Sequence, residues 1–192
     1  MNPTIKILET VTLSDNWYHL KKVIFDQYTD RKGWERVERE AYDRGNGAAI
    51  LLYNKENRTI ILTRQFRMPT YINGNEDGMM IEVCAGLLDD LDPVECIRKE
   101  TEEETGYQVV EVTKVMEAYM SPGSVTEILH FFVAAYEPKM KTKAGGGLIE
   151  DHENIEVIEV TIDEALQMIR QFKIKDAKTI LLIYHALLHH II

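Results

Sequence analysis

The sequence predicts an α+β layered domain preceded by a small antiparallel β-subdomain. Three observations carry that expectation. The first forty or so residues read as consecutive strands with no helix among them, and the remainder mixes strands and helices without a regular βαβ alternation. Helical signals gather in one segment near residue 100 and in two closing stretches. At 192 residues and 45% hydrophobic side chains, the chain suits one large domain or a domain with an appendage, and it can bury a core.

Residues 5–13, 17–28 and 34–43 are the N-terminal strands, with Asp30-Arg31-Lys32-Gly33 turning between the last two. Three strands alone are marginal in water, so they must lean on the rest of the chain or on a second copy of it. Gly45-Asn46-Gly47 breaks the pattern, which divides the chain into 1–42 and 43–192. Two β-rich runs, 48–53 and 59–66, are then joined as a hairpin through Asn54-Lys55-Glu56-Asn57-Arg58. Residues 79–84 form a further strand, 93–105 a helix, 109–119, 127–136 and 155–160 more strands, and 162–172 and 177–190 the closing helices.

Charge and cysteine content exclude several function classes. With 22 Lys+Arg against 32 Asp+Glu, the net charge of -10 repels a nucleic-acid backbone, and no Lys/Arg block offers a basic face. Cys84 and Cys96 form neither a disulfide framework nor a zinc spacing, which points to a reducing, cytoplasmic setting. The first twenty residues include Glu9 and Asp15 and hold no unbroken apolar stretch, so neither a signal peptide nor a membrane anchor is expected.

The helix 93–105 carries the chemistry. Asp92 is placed to cap it, Pro93 suits its first turn, Glu95 completes a capping box and Gly106 stops it. Its far end is costly: Glu100, Glu102, Glu103 and Glu104 crowd the negative pole of the helix dipole. Like charges at this spacing cost roughly 0.2–0.5 kcal/mol per pair. Opposing the dipole costs roughly 0.3–1 kcal/mol per carboxylate. Glu100, Glu103 and Glu104 share one side of a regular helix, and clustered hard oxygens of this kind suit Mg²⁺ or Mn²⁺. A solvated acidic face is the plainer reading, but selection for stability alone would place lysines there.

Residues 86–106 resemble the signature box of the Nudix hydrolases, Gly-x5-Glu-x7-Arg-Glu-U-x-Glu-Glu-x-Gly-U, most closely through Lys99-Glu100-Thr101-Glu102-Glu103-Glu104-Thr105-Gly106 and the following Tyr107. Lys99 stands for the Arg, Thr101 for the aliphatic residue, and the spacing from Gly86 to Glu100 is one residue short, leaving Asp92 in place of the first Glu. Beyond the box the chain resembles the GDP-mannose pyrophosphatase subfamily. The matching blocks include Ser14-Asp15-Asn16, Tyr42-Asp43-Arg44-Gly45-Asn46-Gly47, Arg64-Gln65-Phe66-Arg67, Cys84-Ala85-Gly86-Leu87, Tyr119-Met120-Ser121-Pro122-Gly123 and Ala144-Gly145-Gly146-Gly147.

That resemblance implies an α/β/α sandwich with its N-terminal β-subdomain exchanged across a homodimer. It implies Mg²⁺-dependent hydrolysis of GDP-mannose to GMP and mannose 1-phosphate, with Mn²⁺ able to substitute. Metal ligands would be Glu100, Glu104, Glu153 and the carbonyl of Ala85, and Glu153 or Glu103 would assist the water. Substrate contacts would come from Trp17, Glu38, Arg39 and Glu40 on the N-terminal strands. Others would come from Arg67, from Ala85, Gly86 and Leu87, and from Glu104, Glu127 and Lys178. Residues 145–156 read as a mobile acidic loop, in which Glu150 competes with Glu153 for the base role. His185, His189 and His190 accompany no HExxH pattern and read as surface or interface residues. Two rivals stand beside this reading: ADP-ribose hydrolysis, since Ser121-Pro122-Gly123 is common there too, and a non-catalytic sensor of nucleotide sugars.

Overall fold

A computed structural model describes residues 4–148, 150 and 153–192. The chain divides into two compact units: one ends at Asn46 and includes Tyr119–Ile128, and the other comprises Gly47–Ala118 with Leu129–Ile192.

The first unit is built on an antiparallel meander of β1 (Thr4–Asp15), β2 (His19–Thr29) and β3 (Gly33–Asp43). Gly33 takes φ +74° at the β2–β3 turn, a conformation that costs glycine nothing. Register shifts between Ile7 and Glu9 and between Thr12 and Ser14 bend β1, and Trp17 falls in the bend before β2 rather than in the strand. The turn at Ser121–Ser124 belongs to this unit, because Tyr42 N donates to Ser124 O (2.7 Å) and Thr126 N to Tyr42 O (3.0 Å). Ile5, Ile7, Leu8, Leu13 and Trp34 remain exposed on the sheet.

The second unit is a mixed sheet ordered β10-β5-β4-β9-β8, with β4 (Gly47–Asn54) parallel to β9 (Ile128–Ala135). The other strands of that order are β5 (Thr59–Phe66), β8 (Thr113–Tyr119) and β10 (Glu156–Thr161). β4 is buried along nearly its whole length, which requires cover on both faces. Ala48, Ile50 and Leu52 pack with Cys96 and Ile97 of α2 (Pro93–Glu100). Ala49 and Leu51 point the other way, are equally buried, and lie on the side where α4 (Ala177–Leu188) packs on β4. α3 (Ile162–Arg170) packs on β10 and α4 and carries the full capping box, Thr161 with Glu164.

One departure from the sequence reading creates the site. The apolar run 79–84 predicts a single strand, but the structure divides it between two: β6 (Met79–Glu82) and β7 (Cys84–Leu87). β4 and β5 pair only from Leu52–Asn54 to Thr59–Ile61. Past that point β6 pairs with β5 and β7 with β4, so the hairpin opens and the new strands line the opening. Val83 is the joint, and its N–H, lost to the ladder, is taken by Thr179 Oγ1 at 2.8 Å. A short α1 (Met68–Ile72), started by Pro69, is a further element that the sequence pattern does not signal. β8 begins at Thr113, later than the apolar run implies.

Candidate active site

The helix that the sequence marks is present, with a changed last turn. Asp92 caps it by accepting Val94 N at 2.9 Å, but the reciprocal bond expected from Glu95 is not formed. From Thr101 to Thr105 the backbone widens into a π-helical turn, where the Thr101 and Thr105 hydroxyls donate to the carbonyls of Ile97 and Thr101. Such turns re-aim side chains, and they recur at functional sites. Gly106, at φ +79°, ends the helix as expected.

The three glutamates are therefore not equivalent. Glu104 is only 2% exposed, on the side facing β7, where its Oε2 accepts Ala85 N at 3.3 Å. Glu100 lies against Gly86, where a Cβ would run into its carboxylate, so the glycine makes room for an acid. Glu103 is partly buried and pairs with Lys99 at 3.3 Å. The lysine standing in the Arg position thus braces the helix itself, while Arg98 donates to Val110 O.

Burial sets the electrostatics. It pushes the Glu104 carboxyl up to about 8, with the charges of Glu100 and Glu153 adding to the rise against Cys84 and Arg67. Burial likewise pushes Glu100 up to about 7, opposed by Lys99 and reinforced by Glu103, Glu153 and Asp89. A buried acid and a half-buried one that repel each other form an arrangement a cation would relieve. Among the described residues, no three carboxylate, imidazole or thiol side chains are gathered closely enough to hold a cation as they stand. The donor set still fits a hard divalent ion: Glu100, Glu104 and Glu153 are carboxylates within electrostatic reach of one another, and no soft ligand is needed.

Glu153 sits on the glycine loop, its Oε2 accepting Leu148 N at 2.9 Å. The sequence predicts a mobile loop, but its glycine end is tied to the helix. Gly146 N donates to Glu104 O (2.8 Å) and Gly147 N to Glu103 O (3.1 Å), using carbonyls that a helix end otherwise leaves unpaired. Glu150 is exposed, and Ile149, Asp151 and His152 lie outside the described residues.

Sequence reading misses Glu82, which is 5% exposed at the end of β6. Its Oε2 accepts Arg67 Nε at 2.7 Å, and its Oε1 accepts Lys178 Nζ. Lys178 also pairs with Asp176 Oδ1 at 2.9 Å, so this lysine is engaged by two carboxylates. Desolvation opposes the Glu82 charge, but Lys178 and Arg67 prevail and hold its carboxyl below the usual range. The available signal is a lone acid in the otherwise apolar run Met79-Met80-Ile81-Glu82-Val83.

Arg67, Ala85, Gly86, Leu87, Glu100, Glu103, Glu104, Glu153 and Lys178 all fall in the second unit. The remaining candidates fall in the first. Arg39 and Glu40 line a hollow there with Tyr119 and the turn Pro122–Thr126. Glu38 faces Lys22 at 3.6 Å, and Glu127 lies 3.6 Å from Arg44. Trp17 is 83% exposed, its ring edge-on to Tyr18. His185 on α4 and His189 at its C-cap lie with ring centroids 4.3 Å apart, tilted by 35°. No helix among the described residues is long and apolar enough to cross a membrane.

Comparison with known proteins agrees with this geometry. The NUDIX domain family matches residues 43–182, and the GDP-mannose pyrophosphatase NudK N-terminal domain matches residues 4–42. The chain is 55% identical to a GDP-mannose pyrophosphatase of Pectobacterium atrosepticum over 188 residues, 98% of this chain and 96% of the relative. It is 53% identical to one of Yersinia enterocolitica, covering 98% of each chain. It is 51% identical to one of Salmonella typhimurium, covering 100% of this chain and 99% of the relative. With the glutamate helix seated on β7 and the family match spanning most of the chain, this protein belongs to the Nudix hydrolases.

Proposed function

We propose that the protein hydrolyses the diphosphate of GDP-mannose, giving GMP and mannose 1-phosphate, and that it does so with Mg²⁺, for which Mn²⁺ can substitute. Nudix hydrolases generally need a divalent cation. The observation that carries the reading is the carboxylate pair of the helix, buried Glu104 and half-buried Glu100, set against the β7 backbone at Ala85 and Gly86. Curated relatives of matching length bear the name of this activity.

Glu100, Glu104, Glu153 and the carbonyl of Ala85 would hold the cation. Bound there, it would neutralise the diphosphate and lower the pKa of an attacking water. Glu153 takes the water's proton, and Glu103, tethered to Lys99, is the second candidate for that role. Arg67 grips the diphosphate with the nitrogens that Glu82 leaves unused. Gly86 and Leu87 let the substrate approach the β7 backbone.

Residues 1–42 act as a dimerisation and substrate-contact segment, with Trp17, Glu38, Arg39 and Glu40 meeting the nucleotide sugar, and Glu127, from the later stretch of the same unit, joins them. Exposed Ile5, Ile7, Leu8, Leu13 and Trp34 support a second copy covering the N-terminal sheet. The two free, buried cysteines suit a reducing cytoplasm.

A panel of GDP-mannose, ADP-ribose and other nucleoside diphosphate conjugates, assayed with Mg²⁺ and with products identified, tests the reading. GMP and mannose 1-phosphate should dominate. Preferential AMP and ribose 5-phosphate would mark an ADP-ribose hydrolase, and binding without turnover would mark a sensor.

A further inference from the structure

We propose that Glu82 is the positioning residue for the Arg67 guanidinium, holding its Nε and leaving both terminal nitrogens for an anionic ligand. This deepens the reading of Arg67 as the diphosphate grip and rests on it. The cluster is a chain of alternating charges, Arg67, Glu82, Lys178 and Asp176, two cations and two anions. The side chains of Glu82, Lys178 and Asp176 are largely buried, whereas that of Arg67 is 40% exposed, so the guanidinium is the open end of the chain.

The far end of the cluster is anchored in the backbone. Asp176 caps α4 by accepting Thr179 N at 2.9 Å and also accepts the Thr179 hydroxyl, which in turn receives the Val83 N–H next to Glu82. One hydrogen-bonded path therefore fixes the end of β5, the joint between β6 and β7, and the start of α4. A guanidinium held at Nε has already given up its rotamer freedom and presents a planar pair of donors matched to two phosphate oxygens. Lys178 completes the design: an unneutralised Glu82 next to the guanidinium would repel the diphosphate that Arg67 receives. Glu104 lies within electrostatic reach of Arg67, so the same guanidinium connects this cluster to the carboxylate pair on the helix.

A positioning role and a purely structural one diverge in a double-mutant cycle on the full chain, read as KM and kcat for GDP-mannose with Mg²⁺. Arg67→Ala should raise KM by roughly tenfold or more, the size expected for losing a charge-assisted contact. Glu82→Gln should raise KM several-fold with a smaller effect on kcat, yet add little further once Arg67 is already Ala. Glu82→Asp keeps the charge and so keeps Lys178 and Asp176 paired, but its shorter arm should hold Arg67 less well, placing its KM between wild type and Gln. It also serves if the Gln variant does not fold. If Glu82→Gln and Glu82→Asp change KM and kcat by the same factors whether or not Arg67 is present, tracking only a fall in melting temperature, the carboxylate is scaffold and the proposal is overturned. If Arg67→Ala raises KM while neither Glu82 variant does, the positioning role alone fails. An unchanged KM in Arg67→Ala would remove the diphosphate grip itself.

Discussion

Glu104 is an acid held away from water, and the cost shows in its proton affinity. Its carboxyl and that of Glu100 rise from an ordinary 4.5 to about 8 and about 7, because burial disfavours the charged forms. Without a cation the folded protein then binds more protons than the unfolded chain across that interval, so its stability must fall as pH rises from about 5 to about 8. Melting temperatures in EDTA should show this slope. Glu104→Gln should flatten it and hold or raise stability at pH 8, while lowering turnover by orders of magnitude. Near-normal turnover of both Glu100→Gln and Glu104→Gln at limiting Mg²⁺ would sink the metal-helix reading. On the loop, Glu153 influences both helix carboxylates, whereas Glu150 is exposed. Glu153→Gln should therefore depress kcat strongly with little change in affinity, and Glu150→Gln should be mild. The reverse ranking would transfer the base role to Glu150, and two mild effects would transfer it to Glu103.

At the scale of elements, the π-helical turn and the glycine loop act as one unit. The turn ends at Gly106, where a Cβ would press on the Lys143 carbonyl, and Gly145 would likewise collide with the Glu104 carbonyl. Both positions also require positive φ, so the loop can cap the helix only with glycine there. Gly106→Ala should cost about 1 kcal/mol or more for the backbone conformation alone. It should also displace the loop that carries Glu153. Circular dichroism melts together with steady-state kinetics check this: a lowered melting temperature with kcat reduced more than KM is the expected pair. A stability loss with unchanged kcat would separate loop docking from catalysis.

For the whole molecule, the three-stranded N-terminal meander exposes apolar side chains, and that observation motivates the proposed dimer. Deleting residues 1–42 should abolish both dimerisation, measured by light scattering, and GDP-mannose hydrolysis. A monomeric truncation with full activity would reduce the segment to an appendage. The same contrast between local and distant interactions explains what is legible in advance. The helix at 93–105 can be read because its start and stop are written in adjacent residues, Asp92, Pro93 and Gly106. The break at Val83 cannot, because nothing in Ile81-Glu82-Val83-Cys84 announces that Thr179, 96 residues away, will take its N–H.

The sequence by itself determined the strand runs, the caps of the acidic helix and the concentration of carboxylates at its end, since propensity, capping and like-charge repulsion act over a few residues. It also determined membership of the family, through blocks spread along the whole chain. Only the tertiary structure decided which carboxylate is buried, that β4 and β5 part to admit β6 and β7, and that Glu82 joins Arg67 to Lys178. Those outcomes depend on which distant surfaces exclude water from a side chain, and desolvation is set by the packed neighbours of a residue rather than by its neighbours in sequence.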